Sequence, residues 1–585
     1  MSLIHYAVEA ASLHAHLFQV TLTIAAPAAQ QTVSLPVWIP GSYLVREFSK
    51  HLQNLSARQG RRQVAIEPLD KCTWQIACRT GEPLVLRYEV YTFDNSVRTA
   101  WLDSQRGFFN GTSLCLRVHG HEHLPHQLQL VPVKGQSDWQ AATGLPPLKT
   151  DKKGFGLYQA SDYDELVDCP VDLGAFWSGS FTACGIPHRF VVAGALPSFD
   201  GARLLADTQR ICEAEIRFWH GKGAQAGKKA PHKNYLFMLN AVHDGYGGLE
   251  HRNSTALICA RRDLPRAGEA KTSEGYTTLL GLISHEYFHT WNVKQLRPDA
   301  FARYDYSCEN YTPLLWFFEG FTSYYDDLLL RRAGLIDDDT YAKLLAKAIT
   351  QVQQTPGRHV QTVAQASLDA WTKYYRQDEN TPNATVSYYT KGSLVALCLD
   401  LTLRAKGHSL DEVMRGLWKR CQAGPMREQD VLDELQALTG RSWHKELQAW
   451  VHSTAELPLA KLLESQGLRV HAEPGNFAQR LGVRAVDSQG AVQIKAVLRG
   501  STAEQAGLAA GDEWLGIEVG ARGQGGSWRI GQLDEVPVLL GKERRLTALV
   551  SRDRKLLRLP MTVPQQSTTW RLEVPKDRQA GWPAV

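Results

Sequence analysis

A chain of 585 residues and 65.3 kDa, 43% of it hydrophobic, is too long for one core and is expected to fold as several globular domains. Its 65 basic and 60 acidic residues leave a net charge of only +5 with no extended Lys/Arg tract, which argues against a nucleic-acid partner. No apolar run reaches the ~18 residues a membrane span needs, and the start MSLIHYAVEAASLHAHLF lacks a secretion pattern. The ten cysteines are scattered without a C-x-x-C pair, so no membrane association and a reducing, cytoplasmic location are expected.

Residues 1–165 alternate short apolar runs with turns (FQVTLTI, VSLPVWIP, LVLRYEVYTF, SLCLRV, HQLQLVPV) and predict a β domain. From 166 onward, strand-like HRFVVAGAL, NYLFMLNAV and TALICARR mix with a helix near 202–220. Between the last two strands lies HDGYGGLEHRNS (243–254). It puts Glu250 in a glycine-rich segment along a sheet edge, and Gly247 and Gly248 permit the close backbone approach that a bound substrate chain requires. Read alone, the segment fits a simple turn equally well.

An apolar helical run from about Thr277 to Val293 carries HEYFH at 285–289. Histidines four apart on a helix lie about 40° apart around its axis, so His285 and His289 can reach one ion. Glu286 projects to the flank of that face, where it can act as a base without being a ligand. Catalytic zinc usually takes three protein ligands. The next helix, with Thr312 as N-cap and Pro313 in its first turn, offers a third in WFFEGFTSYYDD: Glu319 stands among Trp316, Phe317, Phe318 and Phe321. A carboxylate in such surroundings is costly unless it is paired or metal-bound; the alternative is a glutamate on the helix surface. Two histidines and a glutamate suit Zn²⁺ better than magnesium or copper.

Residues 335–462 have helical period, and SYYTKGSLVALCL (387–399) sets Tyr388 and Tyr389 just ahead of a helix. A phenol there can donate to a developing oxyanion or simply pack. From 463 the sequence turns to short strands and glycine-rich turns, a compact β-rich module.

Taken together, HEYFHTWNVKQLRP, EGFTSYYDD, YGGLEH and the Tyr-Thr-Lys-Gly at 389–392 resemble the glycyl aminopeptidase family of zinc metallopeptidases, relatives of aminopeptidase N. LPVWIPGSYLVREFSKH, FFNGTSLCL and DYDELVDCPVDLG resemble that family's N-terminal β domain. The tail, with Arg480-Leu481-Gly482-Val483 and Gly511-Asp512, is similar to its PDZ-like domain. The resemblance implies a multidomain α+β protein: an N-terminal β domain (1–165), a thermolysin-like catalytic domain (166–334), a helical domain completing the active site (335–462) and a PDZ-like domain (463–585). It assigns one Zn²⁺ to His285, His289 and Glu319, the general base to Glu286, the substrate's α-ammonium to Glu250 and the oxyanion to Tyr389, with Tyr388 beside it. Two departures from aminopeptidase N mark the glycyl branch: the Glu ligand follows at a longer interval, and His251 stands where that group has Asn.

The function expected is a zinc aminopeptidase acting on peptides with a free N-terminus and preferring glycine or alanine there, with a peptide or protein C-terminus as a further partner at the PDZ-like domain. The alternatives are a peptide-binding adaptor with a vestigial peptidase fold, and a zinc endopeptidase.

Overall fold

A computed structural model describes residues 4–221, 223, 225–488, 490–520, 524–565 and 568–575. The end of the expected tail module, 576–585, lies outside the described residues. The chain separates into two compact units, Met1–Tyr311 with Trp418–Met426, and Thr312–Leu417 with Arg427–Val585.

In the first unit, the N-terminal residues build an eight-stranded mixed sheet around the antiparallel strands Ile4–Ser12, Leu17–Ile24 and Leu84–Tyr91. Every second residue of Leu17–Ile24 (Phe18, Val20, Leu22, Ile24) is fully buried, the period-two pattern of a sheet with one face on a core. Two predicted strands differ. VSLPVWIP is a strand only to Ser34 and continues as a buried loop, because Pro36 and Pro40 lack the N–H a ladder needs. SLCLRV opens in the helical turn Gly111–Leu114.

Beyond the N-terminal sheets comes a five-stranded sheet of β1 (Trp177–Ala183), β2 (Ile186–Ala193), β3 (Tyr235–Val242), β4 (Tyr246–Glu250) and β5 (Ser254–Ala260), in the order β1-β2-β3-β5-β4. β4 is the edge strand, antiparallel to β5, with Gly248 opposite Leu257 and Glu250 opposite Thr255. Helices α1 (Gly201–His220) and α2 (Glu274–Phe288) accompany this sheet. Ser273 caps α2 by accepting from the Tyr276 amide. The helical run expected to reach Val293 stops at Phe288 with His289 as C-cap, and Val293 takes φ +134°, a conformation costly for a β-branched residue.

In the second unit α3 (Leu315–Arg332), α4 (Asp338–Gln353) and α5 (Tyr388–Arg404) pack together. α3 begins two residues later than its sequence suggests: Thr312 Oγ1 accepts from the Leu314 amide, and the Trp316 amide turns to Ser367 Oγ at 2.9 Å. The α3–α5 crossing is glycine on glycine. A Cβ added at Gly320 would sit 2.6 Å from the Gly392 Cα, and one at Gly392 2.5 Å from the Trp316 carbonyl oxygen, so neither position accepts a side chain without moving the other helix.

The tail forms a six-stranded sheet with Val483–Ser488 at one edge. Phe477, Ile494, Trp514, Ile517 and Val550 fill its core. Gly482, at φ +77°, closes the short helix before that edge strand. Buried Asp512 accepts from Arg552 Nε at 2.7 Å and from the Ala509 amide at 2.9 Å. No helix among the described residues is long and apolar enough to cross a membrane.

Candidate active site

The first unit carries the histidine pair at the end of α2. The two Nε2 atoms are 3.0 Å apart with the rings nearly perpendicular, at 85°. His289 is buried, and its Nδ1–H donates to the Asn292 carbonyl oxygen at 2.8 Å, which turns the lone pair of Nε2 toward His285. The strained turn through Val293 is what carries that carbonyl back to the ring. Two imidazole lone pairs at this distance repel unless a proton or a cation lies between them, so the pair fits a metal.

Glu286 and Glu250 are both buried, and each carboxylate lies against a glycine that has no room for a side chain. A Cβ on Gly248 would fall 2.1 Å from Glu286 Oε1, and one on Gly41 would fall 2.5 and 2.6 Å from the two oxygens of Glu250. Edge strand β4 thus places Gly248 under one carboxylate and Glu250 two residues on, on the same face. Among the described residues no group donates a hydrogen bond to either oxygen of Glu250, a carboxylate 4% exposed, which leaves it able to accept from a cationic ligand. Gly247 lies along the same edge, and Arg98 Nη2 donates to the Gly248 carbonyl oxygen at 3.2 Å.

Behind Glu250 lies an ion cluster centred on Asp168, which sequence reasoning missed. Lys294 Nζ donates to Asp168 Oδ1 at 3.0 Å and His251 Nδ1 lies 3.1 Å from the same atom, while Arg252 donates to Oδ2 through its amide at 3.2 Å and Nε at 3.1 Å. Burial pushes the Asp168 carboxyl up, but the Lys294 charge first, with His251 and Arg252, holds it far below the usual carboxylate range. Burial acts to lower the Lys294 pKa, and Asp168 and then Glu250 raise it above normal, so the ammonium persists. Of the residues following HEYFH, Asn292 therefore orients a histidine, Lys294 serves this cluster, and Trp291 Nε1 donates to His220 Nε2 at 2.8 Å.

Asp168→Asn should cost about 3 kcal/mol, the scale for stripping one partner from a buried pair, read as a lower urea midpoint at neutral pH. The sign with pH follows from the depressed folded-state carboxyl. Its contribution is complete above the unfolded value of about 4 and drains away only as pH falls toward the lower folded value. The wild-type and variant urea midpoints should therefore converge on acidification below pH 4.

In the second unit Glu319, 2% exposed, stands on α3 between Phe318 and Gly320. The glycine crossing brings α5 against this part of α3. Burial and then the Glu319 charge push the Tyr389 phenol well above its ordinary value, so it remains a protonated donor. Tyr389 is half-buried, with its hydroxyl 3.4 Å from that of Tyr375. Tyr388 is fully buried in a cluster with Tyr374 and Tyr389, ring centroids 4.8 and 4.7 Å away.

Comparison with known proteins agrees in outline. Residues 5–175 match the model of the peptidase M61 N-terminal domain, and residues 278–395 that of the M61 glycyl aminopeptidase. The solved structure of an aminopeptidase N family protein from Idiomarina loihiensis is 36% identical, covers 99% of this chain and 98% of its own, and superposes with a TM-score of 0.92. An M1 zinc metallopeptidase from Deinococcus radiodurans is 15% identical over 78% of this chain and 94% of its own, with a TM-score of 0.48. A mutant of that metallopeptidase bound to a Tyr-Ser-Ala substrate is 14% identical, over 78% and 95%, with a TM-score of 0.47. No curated protein matches.

Proposed function

The chain belongs to the M61 glycyl aminopeptidase family and is a peptidase, and on that premise we propose a zinc-dependent aminopeptidase that removes a small N-terminal residue, glycine or alanine, from peptides. His285, His289 and Glu319 hold one Zn²⁺ in this reading, and the observation that carries it is the histidine pair at the end of α2, whose Nε2 atoms lie 3.0 Å apart and fit a cation. Bound zinc supplies a Lewis acid that polarises the scissile carbonyl and acidifies a water.

This chain's own residues do the rest. Glu286, buried against Gly248 and fixed on α2, takes the proton of the attacking water and returns it to the leaving amine. Tyr389 donates its hydroxyl hydrogen to the oxygen that gains charge as the carbonyl becomes tetrahedral. Glu250, without a donor of its own, pairs with the substrate's α-ammonium, and edge strand β4 at Gly247 and Gly248 aligns the peptide backbone. Tyr388, its ring stacked on that of Tyr389 at 4.7 Å, supports the substrate subsite beside it. In the tail, the edge strand Val483–Ser488 offers a backbone to which a peptide C-terminus can add as a further strand, the PDZ-like part of this reading.

The amine subsite separates an aminopeptidase from an endopeptidase. Two peptides differing only in N-acetylation should differ at least ~100-fold in kcat/KM in favour of the free amine, since an acetylated end leaves Glu250 buried and unpaired. Equal turnover of the two removes the exopeptidase assignment. Protein that binds zinc in neither purified nor reconstituted form would instead favour the adaptor.

A further inference from the structure

The Glu250 carboxylate lies against a glycine about two hundred places earlier in the chain. Resting on the reading of Glu250 as the amine-binding carboxylate, we infer that Gly41 is a positioning residue for that subsite: its bare Cα is the seat that holds the Glu250 carboxylate in place.

A Cβ at Gly41 would come 2.5 Å from Oε1, 2.6 Å from Oε2 and 2.8 Å from Cδ of Glu250, so both oxygens lie across the Cα rather than beside it. Gly41 also has φ +89°, where L side chains are rare, so the chain turns there with the Cα face toward Glu250. The seat is rigid. Ile39, Ser42 and Tyr43 are at most 1% exposed, and the Ser42 amide donates to the Ile39 carbonyl oxygen at 3.1 Å. Trp38 Nε1 donates to the Asp305 carbonyl oxygen at 2.7 Å, the Val37 amide to that of Tyr306 at 2.9 Å, and Arg46 Nη2 to Ser42 Oγ at 2.9 Å. A loop pinned at this many points does not yield to an added methyl group, so the carboxylate has to move. Restoring ordinary contact takes a shift of roughly 1 Å, the scale at which misplacement of a binding group costs up to ~100-fold in rate. The N-terminal β-rich region thereby helps set specificity for a free amine by holding Glu250.

The test compares Gly41→Ala with Gly81→Ala in the full-length zinc-loaded protein. Gly81 shares the backbone strain, at φ +84°, but a Cβ there meets nothing within 4 Å. Both variants should keep stoichiometric zinc, with Gly41→Ala losing more thermal stability than Gly81→Ala because only it adds a clash to the shared backbone strain. Gly81→Ala should retain wild-type kinetics. Gly41→Ala should raise KM for a glycyl peptide at least ~10-fold, and its preference for free-amine over N-acetylated peptide should fall by the same factor. A Gly41→Ala protein with the KM and free-amine preference of Gly81→Ala overturns the inference. Glu250→Gln keeps the two levels apart. If it retains the free-amine preference, the reading of the subsite fails; if it loses the preference while Gly41→Ala does not, only the role of Gly41 fails. Should Gly41→Ala not fold, Gly41→Ala/Glu250→Ala removes the clash and should fold as well as Gly81→Ala, and a double variant that stays unfolded overturns the inference.

Discussion

Glu286→Gln should keep a full complement of zinc and lose about 10³-fold in kcat, within the usual range of ~10²–10⁴ for removing a general base. The amide has the shape of the carboxylate and packs equally well over Gly248, so neither α2 nor the histidine spacing is disturbed. What it lacks is a lone pair basic enough to accept a proton from water. The loss should appear in kcat with KM for a glycyl peptide little changed, since Glu286 acts on the reacting water and Glu250 on the amine. Thermal stability should hold or rise slightly, because a buried charge is replaced by a neutral group. Stoichiometric zinc by atomic absorption, together with wild-type turnover, would remove Glu286 from the reaction.

Local periodicity made one half of the site legible. H-E-x-x-H needs only the helical repeat to bring two imidazoles together, and the sheet-edge position of Glu250 follows from strands on either side of a glycine-rich segment. The residues that escaped are those whose role depends on which elements meet. Gly320 and Gly392 look like flaws in apolar helices until α3 and α5 cross there. Asp168 is one acidic residue among several in DYDELVDC, and only folding across 83 residues sets it against His251. Gly41 sits in a segment singled out for its family likeness, yet nothing in PGSY tells that its missing side chain makes room for a carboxylate. The helix ends misread in sequence share a cause of the same kind: a tertiary partner, Ser367 for the Trp316 amide, or a strained residue, Val293, displaces a boundary that propensity alone puts elsewhere.

Glu319→Ala should abolish stoichiometric zinc binding, because two imidazoles alone do not fill the three protein positions of a catalytic site. The effect on stability shows when zinc is added. Binding to the folded state alone stabilises it by about 2.7 kcal/mol at a hundred-fold excess over Kd, and the wild type gains this while the variant does not. Thermal unfolding of both proteins, with zinc and after chelator treatment, should therefore give a zinc-dependent rise in Tm for the wild type and none for the variant. A variant that still holds one zinc per chain and shows the same zinc-dependent rise in Tm would remove Glu319 from the ligand set, leaving the third position to another residue.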